Sequence, residues 1–181
     1  IHKLKFLKNL PWIYAALGIV ALGIVLVLGA VTYGSKISYS IAGVTFQPSE
    51  FVKIVFVFFL ASALHESHDL PRVILTSVLA GIHVLILVAS RDLGSALIFF
   101  IVYVMMVFIA TGRWIYLLLG CAGGSGAAVL AYRFFSHVQV RVQAWKDPFS
   151  CIDDAGYQIT QSLFAISSGG WFGLGLFRGT P

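Results

Sequence analysis

Charged residues are scarce in this chain of 181 residues: only 10% are Asp, Glu, Lys or Arg, whereas 59% are hydrophobic. A soluble domain is typically about 25% charged, so this composition argues against a soluble globular protein. Several apolar runs approach the roughly 20 residues that an α-helix needs to cross a bilayer. The composition therefore predicts an all-α, polytopic transmembrane helical bundle.

Cysteine and basic stretches are scarce as well. Cys121 lies in an apolar run and Cys151 in a polar one, so we expect neither a disulfide nor a metal or redox motif. The net charge of +5 comes without a basic stripe interleaved with aromatic residues, which argues against a nucleic-acid partner. The apolar run from Leu10 to Val31 is too long for a secretory signal peptide and lacks a small-residue cleavage site.

The hydropathy pattern predicts about five membrane helices. Their expected ranges are Leu10–Val31, Pro48–Leu64, Arg72–Ala89, Asp92–Ala110 and Arg113–Phe134. Residues 32–47 are expected to form a polar loop. Residues 136–154 read as polar and irregular, and Tyr157–Ser167 as a short interfacial helix before a Gly-rich stretch.

The chain begins at Ile1 rather than at methionine and ends at Pro181 without a closing element, so we expect a fragment cut at both ends. We expect residues 1–181 to form a single membrane domain, part of a larger one. The basic residues near the start, Lys3, Lys5 and Lys8, favour a cytoplasmic beginning. Counting helices from there predicts that residues 136–181 are extracytoplasmic.

Four charged residues interrupt the apolar runs: Glu50, Lys53, Arg91 and Asp92. A charge in hydrocarbon costs on the order of 3 kcal/mol or more unless it is paired or wetted. Such residues usually face a bundle interior or a polar cavity. The start of the second helix and the head of the fourth are both predicted outer-face ends, so we expect these charges at one membrane level.

Two pairings are open to Lys53. Glu50 lies three residues earlier on the same helix face, which allows a local ion pair with Lys53 reaching the membrane interface. Asp92 is the other candidate partner, and its place in the first helical turn suits an anion. We predict a cavity ion pair between Lys53 and Asp92. Arg91 suits either a lipid headgroup or a phosphate, and the sequence does not decide between them.

Histidines and the outer segment offer further candidates. His83, within an apolar helix, is expected to make an interhelical hydrogen bond. The turn His65–Asp69 is interpreted as a solvated loop rather than a metal site, and we predict no metal site. Trp145 suits an interface belt. The amides of Gln158 and Gln161, three residues apart, suit hydrogen bonds to sugars or pyrophosphate, or alternatively the polar face of an interfacial helix.

Five motifs occur in an order that resembles one family. They are QPSEFVK (47–53), RDLGSA (91–96), WKDP (145–148), GYQITQS (156–162) and SGGWFGLG (168–175). Together they are similar to motifs of the SEDS family (shape, elongation, division and sporulation), the FtsW/RodA/SpoVE proteins. The resemblance covers nearly the whole chain, as part of a protein with about ten membrane helices.

The resemblance implies a peptidoglycan glycosyltransferase that serves cell division, cell shape or sporulation. Its substrate would be lipid II, at the outer face of the bacterial cytoplasmic membrane, and its partner a class B penicillin-binding protein. The departing pyrophosphate would need stabilisation by cationic side chains or by a divalent cation. The family motifs place Lys53 and Asp92 at a buried ion pair. The catalytic aspartate is expected beyond Pro181.

Further expectations concern substrate contacts and departures from the family pattern. The substrate-binding candidates are Gln47, Ser49, Glu50, Arg91, Trp145, Asp147, Gln158 and Gln161. Ser38 stands where the family usually has a tryptophan before its QPSE motif, which marks a divergent member or reduced activity. A lipid II flippase and an inactive scaffold of the division or elongation machinery are the alternative hypotheses.

Overall fold

The structure is a computed structural model that describes most of the chain. The residues it describes are 10–28, 30–32, 35–41, 44–66, 69–176 and 178. The long helices are α1 (Pro11–Leu28), α2 (Pro48–Glu66), α3 (Leu70–Ala89), α4 (Leu93–Thr111) and α5 (Trp114–Phe134). Two shorter helices follow, α6 (Ser136–Lys146) and α7 (Tyr157–Gly169), with a 3₁₀ turn at Pro148–Cys151 between them.

Membrane-spanning helices dominate the described part of the chain. Within it, α2, α3, α4 and α5 are each long and apolar enough to cross a membrane, and α1 is a shorter apolar helix. The predicted all-α membrane bundle is thereby confirmed. The bounds of α2 to α5 agree with the predicted ones to within about two residues, which is the usual uncertainty of a helix end.

The segment between α1 and α2 differs from the prediction. α1 ends at Leu28, and the chain then forms a small antiparallel sheet of β1 (Ala30–Thr32), β2 (Ser35–Ile41) and β3 (Val44–Phe46). Ala30 pairs with Ser38, and Tyr39 pairs with Phe46. The prediction of a loop over residues 32–47 was wrong here. The alternation of polar and apolar residues in KISYSI is typical of a strand and was the missed signal.

Residues 136–154 also differ from the expected irregular stretch. α6 occupies Ser136–Lys146, and it follows α5 with only Phe135 between the two helices. The predicted helix at Tyr157–Ser167 is confirmed as α7, which extends to Gly169. The short turn before α7 depends on Gly156, since a Cβ there would collide with the carbonyl oxygens of Pro148 and Cys151.

The chain divides into two compact units, Ile1–Ala122 and Gly123–Pro181. In the first, α1 packs on α2 and α3, and α4 packs on α2 and α3. Its core is mainly aliphatic and aromatic: Ala15, Leu22, Val52, Phe56, Phe59, Leu60, Ala63, Ala80, Leu87, Ala96 and Phe99. In the second unit, the 3₁₀ turn contacts both α6 and α7.

Candidate functional site

Two helix starts meet at the polar end of the first unit. α2 begins at Pro48, whose missing N–H costs nothing at the first helical position. α4 begins at Leu93, and Asp92 is its N-cap. The Oδ1 atom of Asp92 accepts a hydrogen bond from the backbone N–H of Ser95 at 3.1 Å. This bond satisfies a donor that the first helical turn would otherwise leave unpaired.

The second carboxylate oxygen of Asp92 faces the start of α2. Gln47 Nε2 donates to Asp92 Oδ2 at 3.4 Å, and Ser49 Oγ donates to the same oxygen at 3.5 Å. Gln47 Nε2 also donates to Ser49 Oγ at 2.9 Å. The QPSE and DLG motifs are therefore in direct contact, as expected for two helix ends at one membrane level. We call Gln47, Ser49, Glu50, Lys53 and Asp92 the α2–α4 polar cluster.

Lys53 has a different partner from the predicted one. Its Nζ lies 2.7 Å from both carboxylate oxygens of Glu50, one turn earlier on α2. The predicted Lys53–Asp92 ion pair is thus not formed in the structure, and the local pair takes its place. A pair three residues apart on one helix needs no approach between helices. The carboxylate of Asp92 is already occupied by the cap of α4 and by the two donors from α2.

The side chains of the α2–α4 polar cluster differ in how deeply they are buried. Ser49 is 4% exposed, whereas the side chains of Lys53 and Glu50 are 27% and 62% exposed. Beneath the cluster, Val52 and Phe56 are fully buried. The cluster therefore lies at the edge of the apolar core, with its carboxylate–ammonium pair on the accessible side. An anionic group could reach Lys53 there by competing with Glu50.

Arg91 has an unusual backbone conformation. Its φ is +62°, in the left-handed region, where residues other than glycine are uncommon. It lies in the tight turn that follows α3, where Arg91 N–H donates to Val88 O and Asp92 N–H donates to Leu87 O. Such strained positions cluster at functional sites. The turn connects α3 directly to the cap of α4, beside the α2–α4 polar cluster.

The remaining candidates belong to the second unit. Trp145 is 73% exposed near the end of α6, and Asp147 caps that helix through its backbone N–H, which donates to Gln143 O. Gln158 and Gln161 are both exposed on α7. A cavity of about 390 Å³ in this unit is lined by other residues: Val140, Gln143, Ala144, Ser150, Cys151, Asp154 and Ala155.

His83 lies within an apolar helix, as predicted, but its hydrogen bond differs from the expected one. It is fully buried, and its Nδ1 donates to Leu79 O at 2.8 Å within its own helix. The expected interhelical hydrogen bond was therefore wrong. The ring lies among Phe56, Phe59 and Phe99, with centroid distances of 5.1, 6.3 and 6.2 Å. Its Nε2 has no hydrogen-bond partner among the described residues.

The described residues contain no group of three or more His, Cys, Asp or Glu side chains that could hold a metal ion. The turn His65–Asp69 lies partly outside the described residues, which omit positions 67 and 68. Within the α2–α4 polar cluster, Glu50 is engaged by Lys53 and Asp92 by three hydrogen-bond donors. This arrangement does not fit a divalent cation.

Comparison with known proteins links the chain to cell-wall enzymes. Peptidoglycan glycosyltransferase RodA of Mycobacterium leprae (strain TN) is 35% identical over 164 residues, which cover 82% of this chain and 35% of the relative. Probable peptidoglycan glycosyltransferase FtsW of Geobacter sp. (strain M18) is 30% identical over 158 residues, covering 84% and 43%. The chain thus spans less than half the length of these relatives.

A solved structure from work on a peptidoglycan synthase is also similar to this chain. One chain from work on the structural coordination of polymerization and crosslinking by a peptidoglycan synthase complex superposes with a TM-score of 0.68. It is 28% identical, and the match covers 92% of this chain and 51% of that one. Residues 2–181 match the cell cycle protein family of FtsW, RodA and SpoVE. The chain therefore belongs to the FtsW/RodA/SpoVE family of multi-pass membrane proteins.

Proposed function

We propose that the full-length protein is a peptidoglycan glycosyltransferase that polymerises lipid II at the outer face of the bacterial cytoplasmic membrane. The observation that carries the proposal is the contact of Gln47 and Ser49 with Asp92, which joins two family motifs at the starts of α2 and α4. Relatives named as peptidoglycan glycosyltransferases support the activity, and membership of the family supports the location.

The reaction joins two sugars. An acceptor hydroxyl oxygen bonds to the anomeric carbon of the donor sugar, and the bond from that carbon to the pyrophosphate oxygen breaks. A general base takes the hydroxyl proton, while the pyrophosphate leaves with the bonding electrons and needs positive charge nearby. We place the general base on a carboxylate outside the 181 residues, by resemblance to the family.

The α2–α4 polar cluster would bind and orient the substrate without transferring the proton. Lys53 has the accessible ammonium, and Glu50 holds it 2.7 Å away at the edge of the core. An incoming pyrophosphate would displace Glu50 and gain a charge-assisted hydrogen bond. Asp92 would keep Gln47 and Ser49 in place, and Arg91 would supply a second cation. The second unit has its own candidates for sugar or headgroup contacts: Trp145, Asp147, Gln158 and Gln161.

A class B penicillin-binding protein is the partner that we propose. The similar solved structure concerns a complex that couples polymerization with crosslinking, which supports a crosslinking partner for this chain. The polymerase alone produces uncrosslinked glycan strands, so a second enzyme must join their peptides. We route no step through a divalent cation, because the described cluster offers no carboxylate free to bind one.

Reconstitution tests the proposal. Purified full-length protein in vesicles receives labelled lipid II, and products are separated by size, with and without the partner. We expect glycan strands longer than the disaccharide. Movement of the lipid II headgroup across the bilayer without strand formation would support the flippase instead. The absence of both activities, with growth still rescued in cells, would support the scaffold.

A further inference from the structure

The second unit contains a long stretch without charge. Residues 155–177 include no Asp, Glu, Lys or Arg, and the next charged residue is Arg178. The stretch begins just before α7 (Tyr157–Gly169) and continues through the Gly-rich segment. An uncharged stretch pays no penalty for transferring ionised groups into a membrane interface. The composition of this stretch thus permits contact with lipid.

The sides of α7 differ in chemistry. Thr160 is fully buried, and Phe164 contacts Phe149 of the 3₁₀ turn at a centroid distance of 6.4 Å. These two side chains, four residues apart, attach the helix to its own unit. Ile159, Leu163 and Ile166 follow at spacings of four and three, so they form a separate apolar stripe. Leu163 and Ile166 are 42% and 70% exposed.

The opposite side of α7 is polar but uncharged. Gln158, Gln161, Ser162 and Ser168 are all exposed. The helix is therefore amphipathic on its exposed surface, with the apolar stripe on one side and amides and hydroxyls on the other. This division is typical of a helix that lies in the plane of a membrane interface.

An aromatic pair extends the apolar stripe beyond the helix. Trp171 and Phe172 are 99% and 102% exposed, so no described atom covers their rings. Gly170 and Gly173 flank them, with φ values of +56° and +73°. Only glycine adopts such angles readily, and the two turns let both rings project from the chain. Tryptophan is enriched at membrane–water interfaces.

Chain connectivity favours a bilayer as the occupant of this face. The unit begins at Gly123, within α5, a helix long enough to span the membrane, and only Phe135 separates α5 from α6. The uncharged stretch thus belongs to the same unit as the last part of a helix that is long and apolar enough to cross a membrane.

We propose that Leu163, Ile166, Trp171 and Phe172 form a membrane-docking face that inserts into the adjacent leaflet of the bilayer. The ligand is the phospholipid interface itself. Because the stretch is uncharged, docking depends on apolar area and not on anionic headgroups. This inference goes beyond the proposed function, and its failure would leave lipid II polymerisation untouched.

Spin-label accessibility tests the docking face. The full-length protein, with its native cysteines replaced by serine, receives single cysteines at Ile166 and Phe172, and a matched control at Gln161. Each variant is labelled and reconstituted in phosphatidylcholine vesicles. For each label we measure the ratio of its accessibility to oxygen over its accessibility to a nickel chelate. We expect this ratio to be about threefold or more higher at 166 and 172 than at 161, because oxygen partitions into lipid.

Two results would overturn the proposal. Strong nickel accessibility at 166 and 172 would place the face in water. Low accessibility to both reagents would mean that protein covers it, either another part of this chain or a partner. If the label at 166 alters the elution volume of the protein, Leu163 on the same stripe replaces it. Adding phosphatidylglycerol to the vesicles should leave the oxygen preference unchanged, whereas a requirement for it would contradict the charge-independent docking.

Discussion

Ser49 and Asp92, which are 43 residues apart in sequence, meet at 3.5 Å between the serine hydroxyl and the carboxylate. Ser49 is 4% exposed, so the contact lies at the edge of a core rather than on an open surface. The same carboxylate caps α4 through Ser95. One side chain thus fixes the start of a membrane helix and organises the start of its neighbour.

We predict that Asp92→Asn is better tolerated in folding than Asp92→Ala. Asparagine caps helices about as well as aspartate, whereas alanine loses about 1 kcal/mol of helix stability. Alanine also leaves the donors of Gln47 and Ser49 without their acceptor. In thermal unfolding of the full-length protein in detergent, the melting temperature should therefore decrease from wild type to Asp92→Asn and again to Asp92→Ala. Equal melting temperatures for both variants would contradict a capping role.

We predict that Lys53 couples energetically to Glu50 and not to Asp92. A double-mutant cycle with Glu50→Gln and Lys53→Met should give a coupling free energy of about 0.3–0.5 kcal/mol, as expected for a partly exposed pair on one helix. The matched cycle with Asp92→Asn and Lys53→Met should give about zero within error. A larger coupling free energy in the second cycle would instead support the Lys53–Asp92 ion pair that the family motifs implied.

We predict that Gly18→Ala destabilises the first unit whereas Gly23→Ala does not. A Cβ at Gly18 would lie 2.6 Å from His83 Nε2, while a Cβ at Gly23 meets no atom within 4 Å. Both glycines lie in α1, so helix propensity alone would favour both substitutions equally. Overpacking at Gly18 should cost about 1–3 kcal/mol. A double variant, Gly18→Ala with His83→Ala, should recover part of the loss if the histidine is the obstacle.

Arg91→Gly should stabilise the protein and weaken its activity. The left-handed φ of +62° costs a non-glycine residue about 1 kcal/mol, which glycine avoids. Removing the guanidinium should raise the Michaelis constant for lipid II if the side chain binds the pyrophosphate. The melting temperature and the polymerisation kinetics are measured on the same preparation. A stabilised variant with unchanged kinetics would show that the side chain is dispensable.

The sequence predicted the membrane helices well, because their length and apolar composition are local properties. The sequence also identified the two helix starts that meet, because Pro48 begins one apolar segment and Asp92 precedes the other. It could not assign the partner of Lys53, since Glu50 and Asp92 both satisfy its charge, and the choice depends on how the other donors occupy Asp92. The environment of His83 likewise depends on packing, because Gly18 and three phenylalanines from other helices surround it.

The strands after α1 were missed for a different reason. KISYSI alternates as a strand does, but its polar residues and position between two membrane helices favoured a loop. The short α6 was missed because its residues alternate between polar and apolar without a helical stripe. Both errors concern segments outside the long apolar helices, where the strong constraint of membrane length does not apply.

The most direct test of the central claim is lipid II polymerisation by the reconstituted full-length protein carrying Asp92→Ala. The matched control is Asp153→Ala, at an exposed carboxylate in the second unit. Misplacing Gln47 and Ser49 should reduce the rate of strand formation by about tenfold or more, since small errors in substrate position cost large factors in rate. We expect that loss in Asp92→Ala, with the control at the wild-type rate. A wild-type rate in Asp92→Ala would contradict a functional role for the contact between the two helix starts.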